Sequence, residues 1–154
     1  VEAFCNINKK NTHLRIIGIT ENDFNNIYPD CYIPKNVRNK ITFMGRLSHS
    51  ETIKYVLGCD CYIFIRRSDK RNNAAFPTKF AESFTCGVPI ITTDVSDVGE
   101  YIKKYDRGTL LDDMTPKKIS EAMLYHIEND THSKSFDNTF HYESFVQTTE
   151  NWLK

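Results

Sequence analysis

NNAAFPTKFAESFTCGVPIITTD, residues 72–94, decides the fold. It reads as an amphipathic helix followed at once by a buried strand. Pro77 suits a first helical turn, where its missing N–H has no partner to lose. Gly87 stops the helix and Pro89 reinforces the stop. At about 100° per residue, Phe80, Ala81 and Phe84 share one side and must cover a sheet. Thr78, Lys79, Glu82 and Cys86 lie on the other, toward solvent or a cleft. VPIITT (88–93) is a near-continuous apolar, β-branched run, as a strand covered on both faces of a parallel sheet requires.

Similar runs flank this unit: LRIIGI (14–19), ITFMG (41–45), CYIFI (61–65) and the short GTLL (108–111). Helical patterns separate them. Ser48 and Glu51 form a capping-box pair ahead of ETIKYVLG, with Ile53, Val56 and Leu57 inward and Gly58 as the stop. Thr115 caps PKKISEAMLYHIEN, with Pro116 in the first turn and Ile119, Ala122, Met123, His126 and Ile127 as the buried stripe. Residues 1–10 read as the end of a helix. Residues 131–139 read as a polar linker, and 141–153 as a last helix with Phe145, Val146, Thr149, Trp152 and Leu153 inward. Strands alternating with helices predict one α/β domain over 1–154, a doubly wound parallel sheet with helices on both faces. Ligands of such domains sit beyond the carboxyl ends of the strands. That rule singles out Ile19 and Thr20, Arg46 and Leu47, Arg66 and Arg67, and Asp94 to Asp97.

Composition narrows the function classes. Twenty basic residues balance twenty acidic ones, which gives no support for broad nucleic-acid or membrane-surface binding. No apolar run approaches the roughly 18 residues of a membrane span. Cys5, Cys31, Cys59, Cys61 and Cys86 are odd in number and irregularly spaced, which predicts free thiols in a reducing compartment rather than zinc ligands or disulfides. The first residue is Val1, not Met, so the chain reads as part of something longer.

The chemistry gathers at the start of the 77–87 helix. That end follows the third strand and so lies at the carboxyl edge. Free amides at Phe76, Thr78 and Lys79, the helix dipole and the Lys79 ammonium all favour an anion such as phosphate. Glu82 can accept hydrogen bonds from two adjacent hydroxyls, such as a ribose diol. The plainer alternative is a solvated Lys79–Glu82 pair worth about 0.2–0.5 kcal/mol. Spacing alone leaves that pair ahead. Arg66 and Arg67 read either as phosphate or sugar contacts or as a solvated loop partnered by Asp69. Lys70 and Arg71 extend the basic loop. Ser96 and Asp97 suit a cap closed by Glu100. His49 is a base-contact candidate by position. No nucleophile–histidine pair is evident.

The run PTKFAESFTCGVPIITTDVSD resembles the donor-binding segment of glycosyltransferase family 4, retaining group 1 enzymes with the GT-B fold. LRIIG, ITFMGRLS, a helix, CDCYIFIRRS and EYIKKYDRGTLLDD follow the family's order, so the resemblance covers roughly residues 12–130. It implies a Rossmann-like C-terminal domain that binds a nucleotide diphosphate sugar. By resemblance Glu82 binds the donor ribose, and Phe76, Pro77, Thr78 and Lys79 cradle the diphosphate. Arg46 stands where base and phosphates approach, and Arg66 follows the third strand. Ala74 stands where the motif carries its first glutamate, which works near the donor sugar. The resemblance also implies an acceptor-binding domain and a further strand upstream of Val1. The expectation is therefore a hexosyltransferase fragment with little activity alone. Its acceptor would be a glycan or a lipid-linked glycan, its setting polysaccharide synthesis, with neither cofactor nor metal. Its location would be cytoplasmic, with room for a peripheral contact on the inner membrane face. The rival readings are a non-catalytic nucleotide-binding or interaction domain, which Ala74 favours, and a sugar-nucleotide epimerase, which PTKFAES opposes.

Overall fold

The computed structural model describes residues 1–7, 9–129, 131, 136–145 and 151. In chain order the elements are α1 (Glu2–Cys5), β1 (Leu14–Ile16), α2 (Glu21–Ile27), α3 (Lys35–Arg38), β2 (Ile41–Phe43), α4 (His49–Leu57) and β3 (Tyr62–Phe64). They continue with α5 (Lys70–Asn73), α6 (Thr78–Thr85), β4 (Ile90–Thr93), α7 (Val98–Tyr105), β5 (Gly108–Leu111) and α8 (Pro116–Asn129), and a 3-10 turn spans Tyr142–Phe145. All five expected strands are present; the first four are shorter than their apolar runs, and β5 matches GTLL in full. β1 stops because Gly18 turns to a φ of 105° and donates to the Gly45 carbonyl, which sits at a φ of 64°. Beyond residue 145, the predicted last helix lies almost wholly outside the described residues.

All strand pairs are parallel, but they form two groups, β1–β2 and β3–β4–β5, rather than one continuous sheet. The hydrogen bonds direct this: Leu14 donates back to Lys40 on the β2 side, and Tyr62 donates to Pro89 on the β4 side. The two groups still share one layer. Leu14 and Ile16 join Cys61, Ile63 and Ile65 in a single cluster with Phe4, Phe24, Ile91, Ala122 and Met123. Helices α1, α2 and α8 cover that face. The alternate residues point the other way. Tyr62, Phe64 and Ile90 meet Phe80, Phe84, Val98 and Ile102 under α6 and α7. Tyr62 also meets Val56, Cys86 and Val88, where α4 and α6 converge. Helices on both faces of parallel strands are the doubly wound arrangement read from the sequence. β4, central in its group, is buried along its whole length. Gly108 lets β5 approach it, because a Cβ there would lie 2.1 Å from the Ile90 carbonyl oxygen.

Two faces differ from the helical-wheel reading. In α6, Ser83 is fully buried and Ala81 only partly so, and Cys86 is buried rather than turned to the cleft. Val88 donates to Ser83 and Gly87 donates to Phe84, a Schellman closure that swings the chain back onto the sheet and takes Cys86 with it. Ser83 survives burial because its hydroxyl is satisfied by the Lys79 and Phe80 carbonyls. In α4, Val56 is buried but Leu57 is exposed.

Candidate functional site

The carboxyl edge is assembled from four strand exits. After β3, Arg66 is held at its backbone by Thr93 of β4: its N–H donates to the Thr93 hydroxyl, which donates back to the Arg66 carbonyl. The Arg66 guanidinium lies over the Phe64 ring, 4.7 Å from its centroid. Asp69 does not pair with an arginine. It caps α5 instead, accepting from Asn72 N at 2.8 Å. Asn73 then ties α5 to the exit of β4, its side-chain oxygen accepting from Ser96 N at 3.0 Å. Ser96 adopts a φ of 52°, uncommon for a residue with a Cβ. Neither Ser96 nor Asp97 caps α7 by a side chain, contrary to the capping expectation. Asp94 leans on Gly99, where an added Cβ would lie 2.5 Å from its carboxylate.

α6 starts from this scaffold. Pro77 is its N-cap, just outside the first turn rather than within it, and offers no side-chain acceptor. The amides of Thr78 and Lys79 precede the first intrahelical bonds, so the helix end presents donors without local acceptors. Both side chains are exposed. Phe76 is turned inward against Phe80, Tyr101 and Phe140, which leaves only its backbone for the edge. Ala74 ends α5 as an exposed methyl group.

Lys79 and Glu82 do not form the surface pair that spacing favours. Glu82 instead faces α4, with Oε1 3.9 Å from Nδ1 of His49. Its charge reaches Tyr62 and Cys86, whose pKa values rise through burial first and Glu82 second. Glu82 is thus a half-buried carboxylate between α4, β3 and α6, with one side open. His49, which position alone marked only weakly, is the neighbour that sequence reasoning undervalued. Its signal was its place just past the second strand. Arg46, exposed after β2, lies near the Asp23 carboxylate at the start of α2. None of Arg46, Arg66, Arg67, Lys70, Arg71 and Lys79 makes an ion pair with a described residue, so these cations stand unpaired along an edge that also carries Asp69, Asp94 and Asp97.

The thiols are not part of this chemistry. Burial pushes Cys59 up to about 11 and Cys61 up to about 12, far from the thiolate form at neutral pH. All five cysteines are free. A hollow of about 440 Å³ lined by Pro29, Cys31, Tyr32, Lys35 and Arg38 shares no residue with the edge. Among the described residues no helix is long and apolar enough to cross a membrane.

The geometry is a cationic strand-exit edge, a helix with an uncapped start, and a carboxylate one turn along it. Over residues 1–140 the sequence matches the profile of the family described as glycosyl transferases group 1. The chain belongs to the group 1 glycosyltransferases. It is also similar to an uncharacterized glycosyltransferase of Methanocaldococcus jannaschii, 25% identical over 122 residues. That alignment takes in 75% of this chain and 33% of the relative, so the chain spans about a third of the length of the curated relative it matches. No solved structure matches it.

Proposed function

We propose that this group 1 glycosyltransferase chain is the donor-binding part of a retaining enzyme. The enzyme would transfer a hexose from a nucleotide diphosphate sugar to a glycan or lipid-linked acceptor. The observation that carries the reading is the orientation of Glu82. Its carboxylate makes no ion pair with Lys79, approaches His49 at 3.9 Å and stays partly exposed, one turn from the uncapped start of α6. A ribose diol donating to Glu82 places the attached diphosphate within reach of the Thr78 and Lys79 amides. In the transfer the anomeric carbon–oxygen bond to the diphosphate breaks and a bond to an acceptor oxygen forms. Negative charge then grows on the leaving diphosphate. The Lys79 ammonium, the first-turn amides and Arg66 stabilise that charge as it develops. Arg46 attends the nucleotide from the exit of β2.

The second reading, a nucleotide-binding domain without catalysis, draws on Ala74, which brings no carboxylate to the donor sugar. Calorimetric titration of the full-length protein with UDP, GDP and ADP separates the possibilities. One nucleotide binds, and Glu82→Ala weakens it by at least about tenfold, as loss of charged hydrogen bonds requires. Equal binding by Glu82→Ala removes the ribose assignment. Tight binding without sugar transfer to any glycan acceptor favours the second reading.

A further inference from the structure

We infer that Phe140 is a positioning residue for the start of α6, acting through Phe76, and hence for the diphosphate bound there; the ligand half of this rests on the function proposed above. Phe140 sits in a strap, residues 136–141, on the face of the strands opposite α8. α8 lies on one face of the strands, with Ala122 and Met123 in its core cluster. Phe140 belongs to the aromatic cluster on the opposite face. The strap is anchored at the far end of α6. Asp137 N donates to the Thr85 carbonyl at 3.0 Å, and the Asp137 carboxylate pairs with Arg107 at 3.1 Å with both side chains largely buried. Arg107 in turn donates to the Phe84 carbonyl at 3.2 Å. From that anchor Phe140 reaches back along the helix, 5.2 Å from Phe84, 4.9 Å from Tyr101 and 5.3 Å from Phe76 between ring centroids.

Phe76 directly precedes the N-cap of α6. It packs on Phe80 at 5.6 Å, within the first turn, one position short of the partner in a hydrophobic staple, and like a staple this contact across the N-cap holds the angle at which the chain enters the helix. Pro77 supplies no side-chain cap, so ring packing is what fixes this entry. Phe140 and Tyr101 pack against Phe76 as well, leaving it partly buried. Losing Phe140 frees the Phe76 ring and with it the Thr78 and Lys79 amides. Tyr105 offers an internal control. Its ring belongs to the same cluster through Phe84 and Tyr101, yet makes no ring contact with Phe76 or Phe140; its hydroxyl bonds the Thr139 side chain beside Phe140, and Tyr105→Phe, measured alongside, removes that bond alone.

The test compares Phe140→Ala, Phe140→Leu and Tyr105→Ala in the full-length protein, by amide exchange at Thr78, Lys79 and Phe80 and by affinity for whichever of UDP, GDP or ADP the wild type binds. Phe140→Ala speeds exchange at these amides about tenfold and weakens the nucleotide by a similar factor, the size of one aromatic contact. Phe140→Leu falls between it and the wild type, and carries the comparison if Phe140→Ala does not fold. Tyr105→Ala lowers the melting temperature without either effect. Equal responses to Phe140→Ala and Tyr105→Ala with none to Tyr105→Phe, or unchanged exchange at 78–80 in the Phe140 variants, overturn the inference. Faster exchange with unchanged nucleotide affinity overturns its ligand half. A wild type that binds none of the three nucleotides refutes the function proposed above, while the exchange rates still decide whether Phe140 positions α6.

Discussion

Helices α6 and α8 each pack an apolar side against the strands, yet they begin in opposite ways. α8 is closed by its own sequence. The Thr115 hydroxyl accepts from Lys118 N, Asp113 accepts from Thr115 N, and Lys118 pairs with Asp112 at 3.5 Å. α6 opens on Pro77 without a side-chain cap, and its first-turn Lys79 has no ion-pair partner among the described residues, whereas Lys118 of α8 has Asp112; neither helix has an acid in its first turn. A helix start without local closure is tolerable when the rest of the helix is firmly held. Phe80 and Phe84 show 0% exposure and do the holding. The contrast assigns structure to the buried side of α6 and leaves its first turn free for an outside anion.

The buried side is the part whose loss is largest. Phe84→Ala removes a fully buried ring from the centre of the aromatic cluster and is expected to destabilise the fold by about 3–5 kcal/mol in denaturant unfolding. A loss under about 1 kcal/mol would mean that α6 is held by something other than that face. Next in size is the cap of α8. Thr115→Ala is expected to lower stability by about 1 kcal/mol, with nucleotide affinity unchanged. If nucleotide binding fell as well, the two helix starts would not be separate in role.

Lys79→Glu sharpens the comparison most directly, because its two effects have opposite sign. An acid in the first turn complements the helix dipole and is expected to raise stability by about 0.3–1 kcal/mol. The same change reverses the charge offered to a diphosphate and weakens nucleotide binding. A variant that loses stability, or that binds as the wild type does, would show that the lysine is not held at this end against the dipole for the sake of a ligand.

How far the sequence revealed this depends on where each residue finds its partners. The five strands were legible because β-branched apolar runs have one stable use, burial in a sheet. The split into two strand groups was not, since pairing is a matter of neighbours distant in sequence. The wheel placed Phe80 and Phe84 correctly, left Ser83 unassigned and misjudged Cys86. A hydroxyl satisfied by its own helix passes as apolar, and a Schellman turn redirects the residue before it. α2 was missed although Thr20 and Asp23 form a full capping box, because ENDFNNI lacks an apolar stripe. Glu82 was singled out from the sequence, but its approach to His49 came only with the fold. Phe76 was singled out for its backbone amide; the inward turn of its ring was not legible, because Tyr101 and Phe140 lie 25 and 64 residues downstream.

The smallest expected effect is a pH slope on the α8 side, where the sequence closes its own polar groups. His126 is buried, with one ring nitrogen 2.9 Å from the Thr109 hydroxyl and the other 2.6 Å from that of Thr131. Burial lowers its pKa below the ordinary 6.5, since the charged ring loses its hydration. Between the folded and unfolded values the unfolded chain holds more protons, so stability rises with pH across that window. The contribution is complete above about 6.5 and is lost as pH falls toward the folded value. Exposed carboxylates with lowered pKa values, such as Asp113 and Glu51, add slope only in the more acidic range. His13, also lowered by partial burial, acts in the same window and must be subtracted. The measurement is the stability difference between wild type and His126→Gln from pH 7.5 to 5.5. That difference should shrink as the pH falls. A constant difference would place the buried imidazole's worth in its two hydrogen bonds alone, with no penalty on charging it.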